Sequence, residues 1–213
     1  MRPIADIRKE YSKSTLDTGS ISKDPITQFE RWLDEALASK VPEPNALTLS
    51  TVSEDGRPSG RVVLLKGIEK GKFIFYTNYQ SQKGRELEHN PACSLTFFWP
   101  ELERQVRIEG VASRTDSGSS EKYFQSRPRE SQVGAWASPQ SAIIVNREIL
   151  EERVKRIQEK FKGEEKLPKP SQWGGYEVEP NEIEFWQGRP NRLHDRIVFT
   201  RVDGLWQVHR LAP

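Results

Sequence analysis

Asp55-Gly56 and Asp203-Gly204 each sit between short runs rich in β-branched and aromatic residues. Asp-Gly is among the strongest short-range hairpin signals, because glycine takes the positive φ that a two-residue turn demands. The runs flanking the first pair are Ala46–Val52 and Arg61–Lys66; those flanking the second are Arg196–Val202 and Leu205–Leu211. Lys72–Thr77, Ala92–Trp99, Gln105–Ser113 and Ile183–Trp186 have the same character, and Gly67 to Gly71 reads as another turn. This spacing predicts many short antiparallel strands, not a regular alternation of strand and helix.

Helices punctuate the strands. Asp24 is a good N-cap with Pro25 at the first helical position, and Ile26, Phe29, Leu33, Ala36 and Leu37 follow at helical spacing until Pro42 and Pro44 stop the pattern. Ser81–His89 reads as a short helix closed by Asn90-Pro91, and Ser119–Arg127 as another ended by Pro128. Asn146–Lys162, with Ile149, Leu150, Val154, Ile157 and Phe161 on one side, is the fourth; a Pro/Lys-rich linker, Leu167–Pro170, precedes the last strands. The fold class expected is mainly β with α (α+β), an antiparallel barrel with peripheral helices. Neither G-x-G-x-x-G nor G-x-x-x-x-G-K-[ST] occurs, so any nucleotide is held by other means.

Composition narrows the partners. The 213 residues carry 33 basic and 31 acidic groups, a balance poorly suited to bulk nucleic acid, so no nucleic-acid partner is expected. Apolar runs such as Val62–Leu65, Leu95–Trp99 and Ala142–Val145 fall far short of the roughly 20 residues a spanning helix needs, so no membrane partner is expected either. Met1–Glu10 mixes Arg, Asp, Lys and Glu and does not read as a signal segment. The one cysteine, Cys93, excludes an intrachain disulfide, and His89, His194 and His209 lack metal-ligand spacing. A cytoplasmic protein that binds a small anion locally is the expectation.

Three stretches carry candidate chemistry. If the chain is extended from Arg192, then Arg192, His194 and Arg196 project from one face at period two, and three such groups repel unless an anion lies between them. Spacing alone equally allows a solvated strand end with Asp195 as counter-ion, and Trp186 as core. Tyr123 and Arg127 share a helix face, and Pro128 turns the chain to bring Ser131 near; a phenol, a guanidinium and a hydroxyl suit a phosphate. A helix C-terminus that favours arginine for its dipole is the plainer alternative. Arg61 and Lys66 lie on opposite faces of one run, about 16 Å apart when extended, which suits two anions better than one. Ser81-Gln82-Lys83-Gly84 opens a helix, where free N–H groups attract phosphate or simply form a cap. Gln105, Gln140 and Ser141 are neutral and uninformative alone.

Together these stretches resemble the pyridoxine/pyridoxamine 5′-phosphate oxidases. The resemblance runs from Arg8-Lys9-Glu10-Tyr11 to Arg210-Leu211-Ala212-Pro213 and is strongest in Glu184-Phe185-Trp186-Gln187 followed by Arg192-Leu193-His194-Asp195-Arg196. Arg61–Lys66, Phe75-Tyr76-Thr77-Asn78, Glu103-Arg104-Gln105-Val106, the Tyr123–Arg129 stretch, Ser131–Trp136 and Gln140-Ser141 match in the same order. It implies a split β-barrel homodimer with FMN at the subunit interface: an arm and helix over 1–45 and a barrel domain over 46–213, its 173–213 segment completing the site. Carried over position by position, Arg61, Val62, Val63, Leu64, Lys66, Tyr76, Thr77, Gln82, Lys83, Gln105, Gln140, Ser141, Trp186 and Arg196 surround FMN. Lys66, Tyr123, Arg127 and Ser131 hold the substrate phosphate, Arg192 and His194 line its ring as the catalytic candidates, and Arg8 and Tyr11 belong to an arm that closes over the site. Gln82 stands where the family usually has arginine, implying a weaker grip on the FMN phosphate.

The implied reaction oxidises pyridoxine or pyridoxamine 5′-phosphate to pyridoxal 5′-phosphate with O2, giving hydrogen peroxide. A flavin reductase or other flavin-binding relative, and a non-catalytic pyridoxal-phosphate carrier, are the alternatives; the Tyr123, Arg127 and Ser131 trio weighs against the first.

Overall fold

A computed structural model of the chain describes residues 3–7 and 9–213, and Arg8 lies outside them. Nine strands form one antiparallel sheet: β1 (Ala46–Val52), β2 (Pro58–Leu64), β3 (Gly67–Glu69), β4 (Lys72–Asn78), β5 (Ala92–Trp99), β6 (Arg104–Arg114), β7 (Trp173–Gln187), β8 (Asp195–Val202) and β9 (Leu205–Leu211). Their order is β2-β1-β5-β6-β7-β4-β3, with β8 and β9 continuing from the other half of β7. The sheet curls until the link after β2 meets β4, where the Lys66 N–H donates to the Ile74 carbonyl at 2.8 Å. That curl gives the antiparallel barrel the strand spacing predicts, in the split form the family resemblance implies.

Turn chemistry explains the pairings. Gly56 has φ +80°, and Ser53 and Arg57 close the β1–β2 hairpin around it. Asp203 and Gly204 both take positive φ, at 50° and 80°, joining β8 to β9. The segment read as one turn, Gly67 to Gly71, is shorter than that: Gly67–Glu69 pairs with β4, and Lys70-Gly71 alone turn, at φ 51° and 77°.

The largest departure is β7. Only Ile183–Trp186 reads as strand from composition, yet the strand runs fifteen residues, beginning at Trp173. Glycine and charge, Trp173-Gly174-Gly175 and Glu177 to Glu182, hide it from a propensity reading, and pairing overrides them. A bulge opposite Glu109/Gly110 lets β7 bend while staying bonded to β6.

Five helices lie on this sheet: α1 (Pro25–Ala38), α2 (Gln82–His89), α3 (Ser117–Ser126), α4 (Arg129–Ala137) and α5 (Glu148–Lys160). Asp24 caps α1 through the Thr27 N–H at 2.8 Å. Helix α1 buries Phe29, Trp32 and Ala36 in the barrel core, whereas Leu37, read as part of its stripe, is 56% exposed; the Phe29 ring meets those of Phe73 and Phe97 edge-on at 5.0 and 4.9 Å. Helix α4 is not visible in the periodicity; Pro128 at its N-cap position is the one start signal present. It packs with α5 around a second cluster of Phe124, Val133, Phe161, Leu167 and Trp173. No helix among the described residues is long and apolar enough to cross a membrane.

Because Phe29 is fully buried among core aromatics, Phe29→Ala is expected to cost about 3–5 kcal/mol of unfolding free energy. Urea denaturation checks it; a loss below about 1 kcal/mol shows that α1 is not part of the barrel core.

Candidate functional site

A cavity of about 600 Å³ opens between the β2 edge, β4 and the α3–α4 corner. Pro128 breaks the helix: Arg127 is extended at φ −75°, ψ 149°, and α4 then starts, which sets Tyr123, Arg127 and Ser131 along one wall. Val62, Val63, Leu64 and Lys66 supply the facing rim, and Tyr76, Thr77, Lys83 and Gln140 the floor. Tyr76, Tyr123 and Trp173 form a cluster of near-parallel rings, with Tyr76 stacked on Tyr123 (centroids 3.9 Å, planes 18° apart) and 5.5 Å from Trp173 (11°). Burial pushes the Tyr76 and Tyr123 phenols above their usual range, so both are neutral donors.

The charge balance of this cavity is one-sided. Lys66, Lys83 and Arg127 line it, and its described lining has no carboxylate. Lys83 is 7% exposed, and its ammonium reaches only the hydroxyls of Thr77 (3.4 Å) and Ser81 (3.5 Å). Burial, then the nearby Arg61, pushes its pKa down. Arg127 stacks over Trp173 at 4.8 Å, burial likewise depresses its pKa, and its buried Nη1 has no hydrogen-bond partner. Cations held this way carry an unmet demand for an anion. Thr77 and the Asn78 N–H donate to the Gln140 side-chain carbonyl at 3.1 and 3.3 Å, tying the loop after α4 to β4.

Arg61 does not line that cavity. Its guanidinium lies 3.0 Å from Glu86 Oε2 and also donates to Thr51 and Ser59. Gln82, one helical turn before Glu86, donates to Glu86 Oε1 at 2.8 Å. Burial alone would raise the Glu86 pKa, but donors from Thr51, Gln82, Ser59 and Arg61 hold it at about 2. Sequence reasoning missed Glu86; its i+4 spacing from Gln82 was the available signal.

A second region lies at the far end of β7. Gln105, Trp186, His194 and Arg196 line a cleft of about 290 Å³, and Tyr11, Arg189, Arg192 and His194 line an adjoining one of about 650 Å³. Glu184, 3% exposed, grips Arg196 through both oxygens (2.6 and 3.0 Å) and also Arg107 (2.8 Å). Burial opposes ionisation of Glu184, yet Arg196 and Arg107 keep its pKa below the usual carboxylate range.

The one-face reading of Arg192, His194 and Arg196 does not hold. Pro190–Arg192 is a 3-10 turn, Asn191 and Arg192 have φ of 56° and 60°, and β8 begins only at Asp195. His194 is placed by that turn instead. Its Nδ1 accepts the Arg189 N–H at 3.1 Å, and its ring packs 4.6 Å from Trp186 and 5.9 Å from Tyr11. Burial, then Arg192, lowers its pKa, so the ring is neutral near pH 7 with its proton on Nε2.

The residues singled out by sequence thus fall into two groups on one chain. Val62 to Leu64, Lys66, Tyr76, Thr77, Lys83, Gln140, Tyr123, Arg127 and Ser131 share the first cavity, while Tyr11, Gln105, Trp186, Arg192, His194 and Arg196 surround the second. Arg61 and Gln82 face Glu86, and Ser141 is exposed at φ 70° beside Gln140. Trp173 and Trp186 mark the two regions on a single strand, about 40 Å apart along its extended path.

The chain matches the family model described as pyridoxamine 5′-phosphate oxidase over residues 33–161, and that of the pyridoxine 5′-phosphate oxidase C-terminal dimerisation region over residues 173–213. It is 52% identical over 216 residues to a pyridoxine/pyridoxamine 5′-phosphate oxidase of Burkholderia ambifaria and 52% over 217 residues to that of Burkholderia thailandensis, with 100% of each chain covered. Among solved structures, it is similar to PhzG from Burkholderia lata in complex with tetrahydrophenazine-1-carboxylic acid, at TM-score 0.87 and 33% identity, covering 94% of this chain and 98% of that one. An FMN-binding protein of Nostoc punctiforme, at TM-score 0.69 and 16% identity over 87% and 97% of the two chains, shares the fold.

The Glu86 cluster makes a pH prediction. A carboxyl whose folded pKa is depressed from 4.5 to about 2 adds stability above its unfolded pKa and loses it as pH falls through that window. Glu86→Gln is expected to cost on the order of 2 kcal/mol at neutral pH and to flatten the stability decline between pH 4.5 and 2. Chemical denaturation across that range decides it; parallel curves would show that Glu86 does not carry the acid sensitivity.

Proposed function

This chain belongs to the pyridoxamine 5′-phosphate oxidase family, and on that premise we propose that it is an FMN-dependent oxidase of pyridoxine and pyridoxamine 5′-phosphates. The observation that carries the reading is the first cavity: three cations without a carboxylate, one of them with a buried unpartnered guanidinium nitrogen, beside aromatic rings. That donor set fits two phosphate groups, one on the cofactor and one on the substrate.

Lys83, at the first turn of α2 with free backbone N–H groups beside it, would hold the FMN phosphate, and Arg61 would reach it from the Glu86 cluster. Val62 to Leu64, Thr77 and Gln140 would bound the flavin on one side. Gln105, Trp186 and the Glu184-anchored Arg196 would do so from the other. When bound, FMN supplies the two-electron acceptor for a hydride from the substrate's 4′ carbon and returns the electrons to O2 as hydrogen peroxide. Gln82, neutral and engaged with Glu86, adds no charge to the phosphate site.

The protein's own work is positioning. Lys66, Tyr123, Arg127 and Ser131 bind the substrate phosphate, and that remote binding energy orients the 4′ carbon. His194, neutral with Nε2–H free to donate, holds the 4′ heteroatom, and Arg192 lines the ring. The alcohol yields aldehyde and peroxide from O2; the amine consumes one water as well and releases ammonia.

The two regions, separated along β7, join only if a second copy brings its β7–β8 end to the first copy's cavity, as an isologous dimer does. Val62 on β2, Phe98 on β5 and Val111 on β6, 68%, 53% and 49% exposed, are apolar side chains such a partner would cover. The family match over 173–213 to a dimerisation region supports the same assembly. The likeness to PhzG favours a second reading, a tricyclic carboxylate in the phosphate's place.

Mixing the protein with FMN and pyridoxine or pyridoxamine 5′-phosphate in air is expected to give aldehyde and peroxide one to one. Arg127→Ala is expected to raise KM by about tenfold to a hundredfold while leaving FMN affinity within about threefold. Turnover of tetrahydrophenazine-1-carboxylic acid but of neither phosphate would overturn the proposal in favour of the second reading; bound flavin with no turnover of any would leave a flavin-binding relative. Sedimentation is expected to show a dimer.

A further inference from the structure

The segment before α1 crosses the second region and is fastened there by one buried side chain. Glu103, on the turn between β5 and β6, is 2% exposed and takes a left-handed conformation at φ 56°. Its Oε2 accepts two successive backbone N–H groups of the arm, Ser12 at 2.8 Å and Lys13 at 3.0 Å. Its Oε1 lies 3.9 Å from the Lys9 ammonium. The Lys13 ammonium donates to the Glu101 carbonyl on the same turn. The backbone carbonyl of Glu103 faces the other way and accepts Gly188 N–H at 2.7 Å and the Gln187 amide at 3.2 Å. One residue therefore joins the arm, the β5–β6 turn and the end of β7.

What that junction positions is Tyr11. Its ring stands edge-on to Trp186 at 5.7 Å and to His194 at 5.9 Å, and it lines the cleft with Arg192 and His194. The seat is close: a Cβ on Gly188 would come within 2.7 Å of Tyr11 Cγ and 2.8 Å of its Cβ. Further along, Arg189 donates to the Ser14 carbonyl at 3.2 Å, Asp195 accepts the Leu16 N–H at 3.0 Å, and Arg210 donates to the Leu16 carbonyl at 3.0 Å. These later contacts fix the arm beyond Ser14. Among the described residues, Glu103 is the one whose carboxylate bonds the stretch next to Tyr11, and charge-assisted bonds to backbone N–H are the strong ones.

We propose that Glu103 is a positioning residue for the active site, a latch that seats Tyr11 against Trp186 and His194 and so forms one wall of the substrate-ring cleft. The proposal rests on the functional reading above for its kinetic consequence and not for its structural one. Without the carboxylate, the Ser12 and Lys13 N–H groups turn to water, and the arm leaves the cleft.

The test compares Glu103→Ala, Glu103→Gln and Gly188→Ala in the FMN-loaded full-length protein. Glu103→Gln keeps a carbonyl acceptor, whereas Gly188→Ala displaces the Tyr11 ring and leaves the Glu103 side chain itself unaltered. Amide hydrogen exchange over residues 9–14 is expected to quicken at least tenfold in Glu103→Ala and Gly188→Ala, with α1 and β5 unchanged. KM for pyridoxine 5′-phosphate is expected to rise about tenfold in both, with kcat falling less, and Glu103→Gln is expected to restore KM to within about threefold. Unchanged arm exchange in Glu103→Ala overturns the latch. A freed arm with unchanged KM overturns its role in the site. A fall in Tm with faster exchange throughout the barrel, not rescued by glutamine, marks Glu103 as merely structural and overturns it too. If the wild-type protein turns over neither phosphate, the functional reading fails, while the exchange data still decide whether Glu103 seats Tyr11.

Discussion

Strand β7 bonds β6 along one edge and, on its other edge, β4 through residues 173–178 and β8 through residues 182–187. It is the only path connecting the β4 side of the barrel to the β8–β9 hairpin. Its length therefore sets the distance between the cation-lined cavity and the Trp186–His194 cleft, and its bulge sets how far they turn from one another. A shorter strand would merge the two regions or lose one pairing partner. The second copy proposed above answers this geometry, since no side chain spans the length of the strand.

Buried charge is handled in two ways, and the difference marks where ligands go. Glu86, Glu103 and Glu184 are almost fully buried and each is partnered: by Arg61 and hydroxyls, by two arm N–H groups with the Lys9 ammonium 3.9 Å away, and by Arg196 with Arg107. Burying a carboxylate is tolerable when its lone pairs are all met. Buried Lys83 and half-buried Arg127, with one buried guanidinium nitrogen, are the opposite case, cations in a cavity whose described lining has no carboxylate. The partnered carboxylates hold arginines and backbone in place, and the unsaturated cations are left for anions.

How much of this was legible in the chain differs by element. The hairpins at Asp55-Gly56 and Asp203-Gly204 were, because the positive φ of Gly56 in the five-residue first loop, and of Asp203 and Gly204 in the two-residue second one, favours those residue types whatever surrounds it. The α1 stripe and its Asp24 cap were legible for the same local reason. Most of β7 was not: Gly174 and Gly175 are poor strand formers, present because Tyr79 and Thr115 pack where side chains would stand. Nor was α4, whose nine residues lack a clear stripe, or the turn at Pro190–Arg192, where Asn191 and Arg192 adopt a conformation no period-two reading allows.

The chain by itself determined what is set by neighbours in sequence: the hairpin turns, the Asp24 helix cap, the short β-rich runs of β1 and β5, and the residue types able to bind phosphate. It also carried the matches that place it in its family. The tertiary structure alone decided which cations lack partners, that Arg61 and Gln82 face Glu86, that Glu103 fastens the arm, and that the site residues divide between two ends of one strand. The reason is physical. Turn and cap energies depend on a few adjacent dihedrals, whereas burial, charge pairing and the curl of a sheet depend on contacts between residues far apart in the chain.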